Sequence, residues 1–288
     1  MTPSLDLSPE ALGALIAHPR FTEAARTLFR GKRATAAGDA VMAGLFRDVG
    51  HYVIALWAFS LHRDAGITLP RLKAVCTRSR LMSPGRTRAL LGYLQHVGYL
   101  SRVTPRQGQA AAVYAPTPRF VEAWCRHMRC GLEAAAMLEP AAALMLARLD
   151  APETGRALAL AFAQAQGDIV LAGISGFDDR ALHDLPFMRI FNHRLGGGRV
   201  LTQLLSRDEG AAPIGCAPVA FTIEEVAQGA GISRLQARRL LDDAVAEGLV
   251  RIGDGTLTWL DGARAHIQFT VAFEFTTLLA SAAMAAPA

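Results

Sequence analysis

The sequence predicts a mainly α-helical protein with small β-hairpins, in which two copies of one unit are joined by a helical linker. The first observation behind this is an internal repeat. With Ser83 placed over Ser233, Ser83-Pro-Gly-Arg-Thr-Arg-Ala-Leu-Leu-Gly-Tyr-Leu-Gln-His-Val-Gly-Tyr-Leu aligns without a gap on Ser233-Arg-Leu-Gln-Ala-Arg-Arg-Leu-Leu-Asp-Asp-Ala-Val-Ala-Glu-Gly-Leu-Val, which implies two copies of one structural unit. The second is shared punctuation: a serine opens each run, an apolar pair follows (Leu90 and Leu91; Leu240 and Leu241), and Gly98 or Gly248 closes it. Cap, buried stripe and C-terminal glycine therefore agree on one helix per copy. The third is a strand, a turn and a second strand after each helix.

Taken in order, residues 1–45 read as an N-terminal helical segment. Ser8-Pro9-Glu10 opens a helix reaching Ile16, a second spans Phe21 to Phe29, and Arg30 to Gly38 reads as a loose connector. The first unit covers 46–118. Its Val49 to Leu61 stretch is apolar nearly all round but bounded by Asp48 and His62, too short to cross a bilayer and suited to a buried helix. Thr68 starts the next helix, and this copy carries four more residues before Ser83 than the second copy carries before Ser233. A hairpin follows: Leu100 to Val103, a turn over Thr104 to Gln109, then Ala111 to Ala115.

Pro116-Thr-Pro118 breaks the chain, and residues 119–185 form the linker. Apolar residues at 120, 121, 124, 128, 132 and 135 have helical spacing and place a helix over Arg119 to Leu138. Helices over Ala141 to Leu149 and Glu153 to Gln166 lead to a turn at Asp178-Asp179. The second unit covers 186–260. Thr222-Ile-Glu-Glu225 has the reciprocal spacing of a capping box, which predicts a helix from Ile223 to Ala230, and Gly231-Ile232 turns into Ser233. Gly253-Asp-Gly255 joins Val250–Ile252 to Thr256–Trp259 in a tight hairpin. Residues 261–288 supply a C-terminal helix to about Met284, the counterpart of the helix after the first hairpin.

Helix, turn, helix, hairpin is the order of a winged helix, and the chain resembles the tandem winged helix-turn-helix transcription regulators of bacteria, MarR-like proteins in particular. Ile232-Ser-Arg-Leu-Gln-Ala-Arg-Arg-Leu-Leu-Asp-Asp-Ala-Val-Ala-Glu-Gly-Leu-Val250 carries that resemblance most fully, and the two copies together cover about half the chain. The resemblance implies two winged-helix domains, a cytoplasmic location, double-stranded DNA as partner, and in each copy a second helix of the turn motif that lies in the major groove. Residues near the start and on the outward face of those helices are the candidate DNA contacts: Ser83, Arg86 and Arg88 in the first copy; Ser233, Arg234, Gln236, Arg238 and Arg239 in the second. Arginine can pair with both guanine acceptors and glutamine with adenine, while a helix N-terminus suits phosphate. Arg102 and Arg106 on the first wing are placed to reach phosphates or a narrow minor groove.

Charge distribution sharpens this. The net charge is +5, and between Arg63 and Arg106 nine Arg or Lys residues stand with one acid, Asp64. A uniform arginine-rich composition would not strip acids from one continuous segment, so the first unit reads as an electropositive module. Between Thr222 and Arg251 there are four basic and five acidic residues, which confines any positive face there to Arg234, Arg238 and Arg239.

Other classes are disfavoured. Hydrophobic residues make up 51% and charged residues 19%, against disorder. Cys76, Cys125, Cys130 and Cys216 have no metal-ligand spacing and no disulfide framework. Gly196-Gly-Gly198 lacks the spacing of a nucleotide loop, and Ala172-Gly-Ile-Ser-Gly176 is not a nucleophile elbow. The histidines are scattered. No catalytic centre, cofactor or metal is therefore expected. Ile267 to Ala286 is long enough for a membrane, but Gln268 and Glu274 interrupt it, so no membrane association is expected and the helix is a candidate for homodimer contact. A small-molecule effector would find room between the linker helices and the winged units, though no polar constellation specifies one. Two alternative functions share this architecture: a plasmid-type replication initiator, and a winged-helix interaction module in which at most the first unit binds DNA.

Overall fold

The chain is mainly helical, with two small antiparallel three-stranded sheets. The computed structural model describes residues 6–45, 48–79, 82–104, 111–151, 154–176 and 185–285. Local caps set most helix starts. Ser8 accepts from the Ala11 N–H at 3.2 Å to open α1 (Pro9–Ile16), and α2 (Phe21–Gly38) and α3 (Ala40–Leu45) follow. Asp48 caps α4 (Val49–Ala65) and Ser83 caps α6 (Pro84–His96). Thr117 caps α7 (Pro118–Ala135), with proline at the first helical position of both α6 and α7, where its missing N–H is no loss.

The same order of elements occurs twice. In the first half α4 is followed by β1 (Ile67–Thr68), α5 (Leu69–Ser79), α6, β2 (Leu100–Val103), β3 (Val113–Pro116) and α7. α8 (Pro140–Leu149), α9 (Gly155–Gly176) and a π-helical turn at Met188–His193 intervene. The second half runs α10 (Gly197–Leu205), β4 (Val219–Ala220), α11 (Ile223–Ala230), α12 (Arg234–Ala246), β5 (Val250–Gly253), β6 (Thr256–Trp259) and α13 (Asp261–Ala285). The sheets match as well, in the orders β1-β3-β2 and β4-β6-β5. Arg102 pairs in register with Tyr114, and Arg251 with Thr258. The Thr222 and Glu225 capping box is present at α11. The β5–β6 turn has positive φ at both Asp254 (51°) and Gly255 (71°), as a two-residue hairpin matching the strand twist requires. β1 and β4 have no counterpart among the sequence expectations, because a two-residue strand carries no period.

Two helices outrun expectation. Arg30 to Gly38 is not a loose connector but the second half of α2. Tertiary contact carries it through its glycine: a Cβ on Gly31 would fall 2.6 Å from the Cys130 Cβ of α7, and Lys32 pairs with Glu274 of α13. Likewise α9 passes Gln166 and continues to Gly176. Gly167 is where α9 touches α4, since a Cβ there would lie 2.9 Å from the Leu56 carbonyl oxygen and 3.0 Å from the Ser60 Cβ.

One continuous cluster of buried apolar residues spans both halves. In the first, Tyr99 stacks on Phe120 (4.7 Å between ring centroids), Phe120 on Phe59 (4.5 Å), and Tyr52 on Trp124 (5.4 Å). In the second, Phe191 meets Trp259 edge-on at 5.5 Å. The segment 119–185, whose described part supplies α7, α8 and the length of α9, belongs to this core, because α9 packs on α4, α7 and α13. α13 is, among the described residues, the one helix long and apolar enough to cross a membrane by length and composition. It packs against α1, α7, α8 and α9, burying Ile267, Val271, Phe275 and Leu278.

Candidate nucleic-acid interface

The described residues among those singled out in the sequence lie on α6, α12 and β2 or cap those helices, and they divide into three kinds. Ser83 and Ser233 act first as caps: their hydroxyl oxygens accept from the Arg86 N–H (3.4 Å) and the Gln236 N–H (3.2 Å), each fixing the first turn of its helix.

Arg86 and Gln236, equivalent by the repeat, are tethers. Arg86 Nη2 donates to Asp48 Oδ2 at 3.0 Å, and Gln236 Nε2 donates to the Leu195 carbonyl oxygen at 2.5 Å. Asp48 is the cap of α4 and Leu195 immediately precedes Gly196, the cap of α10. In both halves, then, the third residue of the exposed helix reaches back to the start of the half's first helix. Sequence alone places Arg86 and Gln236 among the outward contacts and says nothing of these links. Asp48 is nearly buried and also accepts from the His51 backbone N–H (3.0 Å) and Nδ1 (2.9 Å). Burial alone would raise its carboxyl; hydrogen bonds from His51 and the charges of His51 and Arg86 outweigh that and hold it below the ordinary carboxylate value.

The remaining arginines differ again. Arg88 and Arg238 are equivalent by the repeat, and both are exposed. Among the described residues neither has an ion-pair partner, and the same holds for exposed Arg239 on α12 and Arg102 on β2. Arg106 lies outside the described residues. Arg234 is exposed but pairs with Glu224 at the start of α11.

The halves also differ in electrostatics. α12 and its C-cap carry acids that pair outside the helix, Asp243 with Arg194 and Glu247 with Arg189. α6 carries no acid anywhere along its length, and exposed Arg78 on α5, Arg88 on α6 and Arg102 on β2 have no ion-pair partner among the described residues. Exposed pairs like those on α12 contribute little stability, about 0–1 kcal/mol each, but they cancel field.

Leu235 was not among the residues the sequence singles out. It is 58% exposed in the first turn of α12 and lines an open groove of about 510 Å³ with Ile223, Glu224, Arg234 and Arg238. Helical spacing contained the signal: Leu235 lies off the stripe formed by Ala237, Leu240, Leu241 and Ala244, all buried. A second pocket of about 230 Å³ lies beside the Gln236 tether, lined by Arg199, Gly231 and Ser233 among others. Among the described residues no group of three or more His, Cys, Asp and Glu side chains converges as a metal site.

Comparison with protein-family models, with curated proteins and with solved structures finds no match to this chain.

Proposed function

We propose that this chain is a sequence-specific double-stranded DNA-binding transcription regulator in which two winged-helix units act as an internal pseudo-dimer. The observation that carries this reading is the equivalence of Arg88 and Arg238. They occupy the same repeat position on helices of the same order and sheet pairing, and both are exposed with no ion pair among the described residues. A helix of this width fits the major groove, where arginine can engage the O6 and N7 acceptors of guanine. Leu235 supplies an apolar contact of the kind a thymine methyl accepts. In this reading β2 belongs to the first wing and Arg102 supplies its contact to flanking phosphate.

The two units differ in their readers, so the preferred site is an imperfect palindrome or two unlike elements about one helical turn apart. Selection from a random duplex library, followed by footprinting, tests this. Two protected half-sites per chain support it, and absence of any salt-sensitive duplex binding defeats it.

The ion pairs along α12 favour a second reading, in which only the electropositive first unit touches DNA and the second holds a partner or another copy. A footprint of one half-site per chain would select that arrangement.

A further inference from the structure

The link between Asp48 and Arg86 has a different character from its counterpart in the other half. Gln236 is neutral and its acceptor is a backbone carbonyl, so that tether moves no charge. Arg86 is a cation whose side chain is 55% exposed, while its partner carboxylate is 6% exposed. The acid therefore sits beneath the α6 surface, drawing the guanidinium onto itself in the first turn of the helix, on the flank of the buried stripe away from Arg88. A phosphate approaching this corner meets a neutral pair instead of a free cation.

We propose that Asp48 restrains the first unit's nucleic-acid-binding surface by sequestering Arg86, so that the resting protein presents Arg88 without Arg86 and releases Arg86 only when phosphate outcompetes the carboxylate. The inference rests on the DNA-binding reading above. Its chemistry is a simple exchange of one anion for another at an arginine: a carboxylate oxygen at 3.0 Å gives way to a phosphate oxygen. Five N–H groups make arginine suited to such exchange, since one face can engage the incoming anion before the other is released. The neutral Gln236 tether gives the second unit no equivalent exchange, which makes the first the adjustable half.

Asp48→Asn is the informative substitution. Asparagine caps a helix about as well as aspartate, so the bond to the His51 N–H can persist while the charge is lost. Binding of the wild type, D48N, and D48N combined with Arg86→Ala is measured on one selected duplex across a salt series, with thermal melts of each free protein to register folding. The expected result is that D48N binds roughly fivefold tighter near 0.1 M salt, with a log–log salt slope steeper by about one, as for one added phosphate contact. Adding R86A to D48N should remove both changes. Equal or weaker binding by a folded D48N, or a gain that survives R86A, overturns the restraint while leaving DNA binding intact. If D48N melts well below wild type, Asp48→Ser, which also caps a helix without charge, replaces it under the same criteria. If neither wild type nor any variant binds duplex in a salt-dependent manner, the DNA-binding reading falls and the restraint falls with it.

Discussion

Arg26 of α2 and Asp208, which follows α10, form a buried ion pair across the two halves of the molecule. Arg26 Nε and Nη2 both donate to Asp208 Oδ1, at 2.9 and 2.6 Å, and the carboxylate is fully buried. The guanidinium is completed by the carbonyl oxygens of Gly210 (2.6 Å) and Ala212 (2.7 Å), and Asp208 Oδ2 accepts from the Gly215 N–H at 2.9 Å. Every charged atom is answered, which is the condition under which such a pair survives its desolvation cost.

Removing one partner should therefore be far worse than removing both. Arg26→Ala leaves a buried carboxylate unanswered and should cost about 3–5 kcal/mol. The double replacement R26M/D208L should recover much of that. Urea midpoints of the three proteins would show this, and a single variant no less stable than the double would contradict it.

Glycine substitutions should split by environment. At Gly31 and Gly167 a methyl group would collide with Cys130 of α7 or with α4, so Ala at either should destabilise by about 1–3 kcal/mol through overpacking. Gly92, on the exposed side of α6, is the contrast, because a Cβ there would meet nothing within 4 Å; Ala at this position should stabilise by about 0.5–1 kcal/mol. Thermal melts read all three.

Acid should weaken the fold before its carboxylates protonate. Burial, with the Lys32 charge nearby, lowers His127 to about 3, whereas an unfolded chain's imidazole titrates near 6.5, about the usual value. Between those values the unfolded state takes up a proton that the folded state refuses. Stability is thus fully present above about pH 7 and falls with pH at up to about 1.4 kcal/mol per unit from this group alone. Asp48, held low in the fold, adds in the same sense at more acidic pH. Urea midpoints between pH 7.5 and 4.5 check the slope, which His127→Gln should flatten.

At the surface, Arg88→Ala and Arg238→Ala should each lower affinity for a selected duplex by about tenfold and relax preference at one base position. Arg239→Ala should weaken all sequences alike, as loss of a phosphate contact does. Competition with mutated duplexes separates the two patterns; identical effects for all three arginines would remove the distinction between reader and backbone contact.

Legibility followed sequence distance. Ser83, Ser233, Thr222 with Glu225, and the Asp254-Gly255 turn act within a few residues, and each marks its element's boundary in the sequence as it does in the fold. Arg26 finds Asp208 across most of the chain, Lys32 finds Glu274, and Arg86 finds Asp48. No local pattern announces such partners, and so a guanidinium on an outward helical position looked free when it was held. The continuations of α2 past Phe29 and of α9 past Gln166 were hidden for the same reason: the contacts at Gly31 and Gly167 are with other helices. Arg88 and Arg238 were legible as exposed because they lie off the apolar stripes of α6 and α12.

α13 lies against α1, α7, α8 and α9, so one helix seals four others that are far apart in the chain. Its detachment would uncover all four at once, and its local opening is therefore tied to that of the body around it.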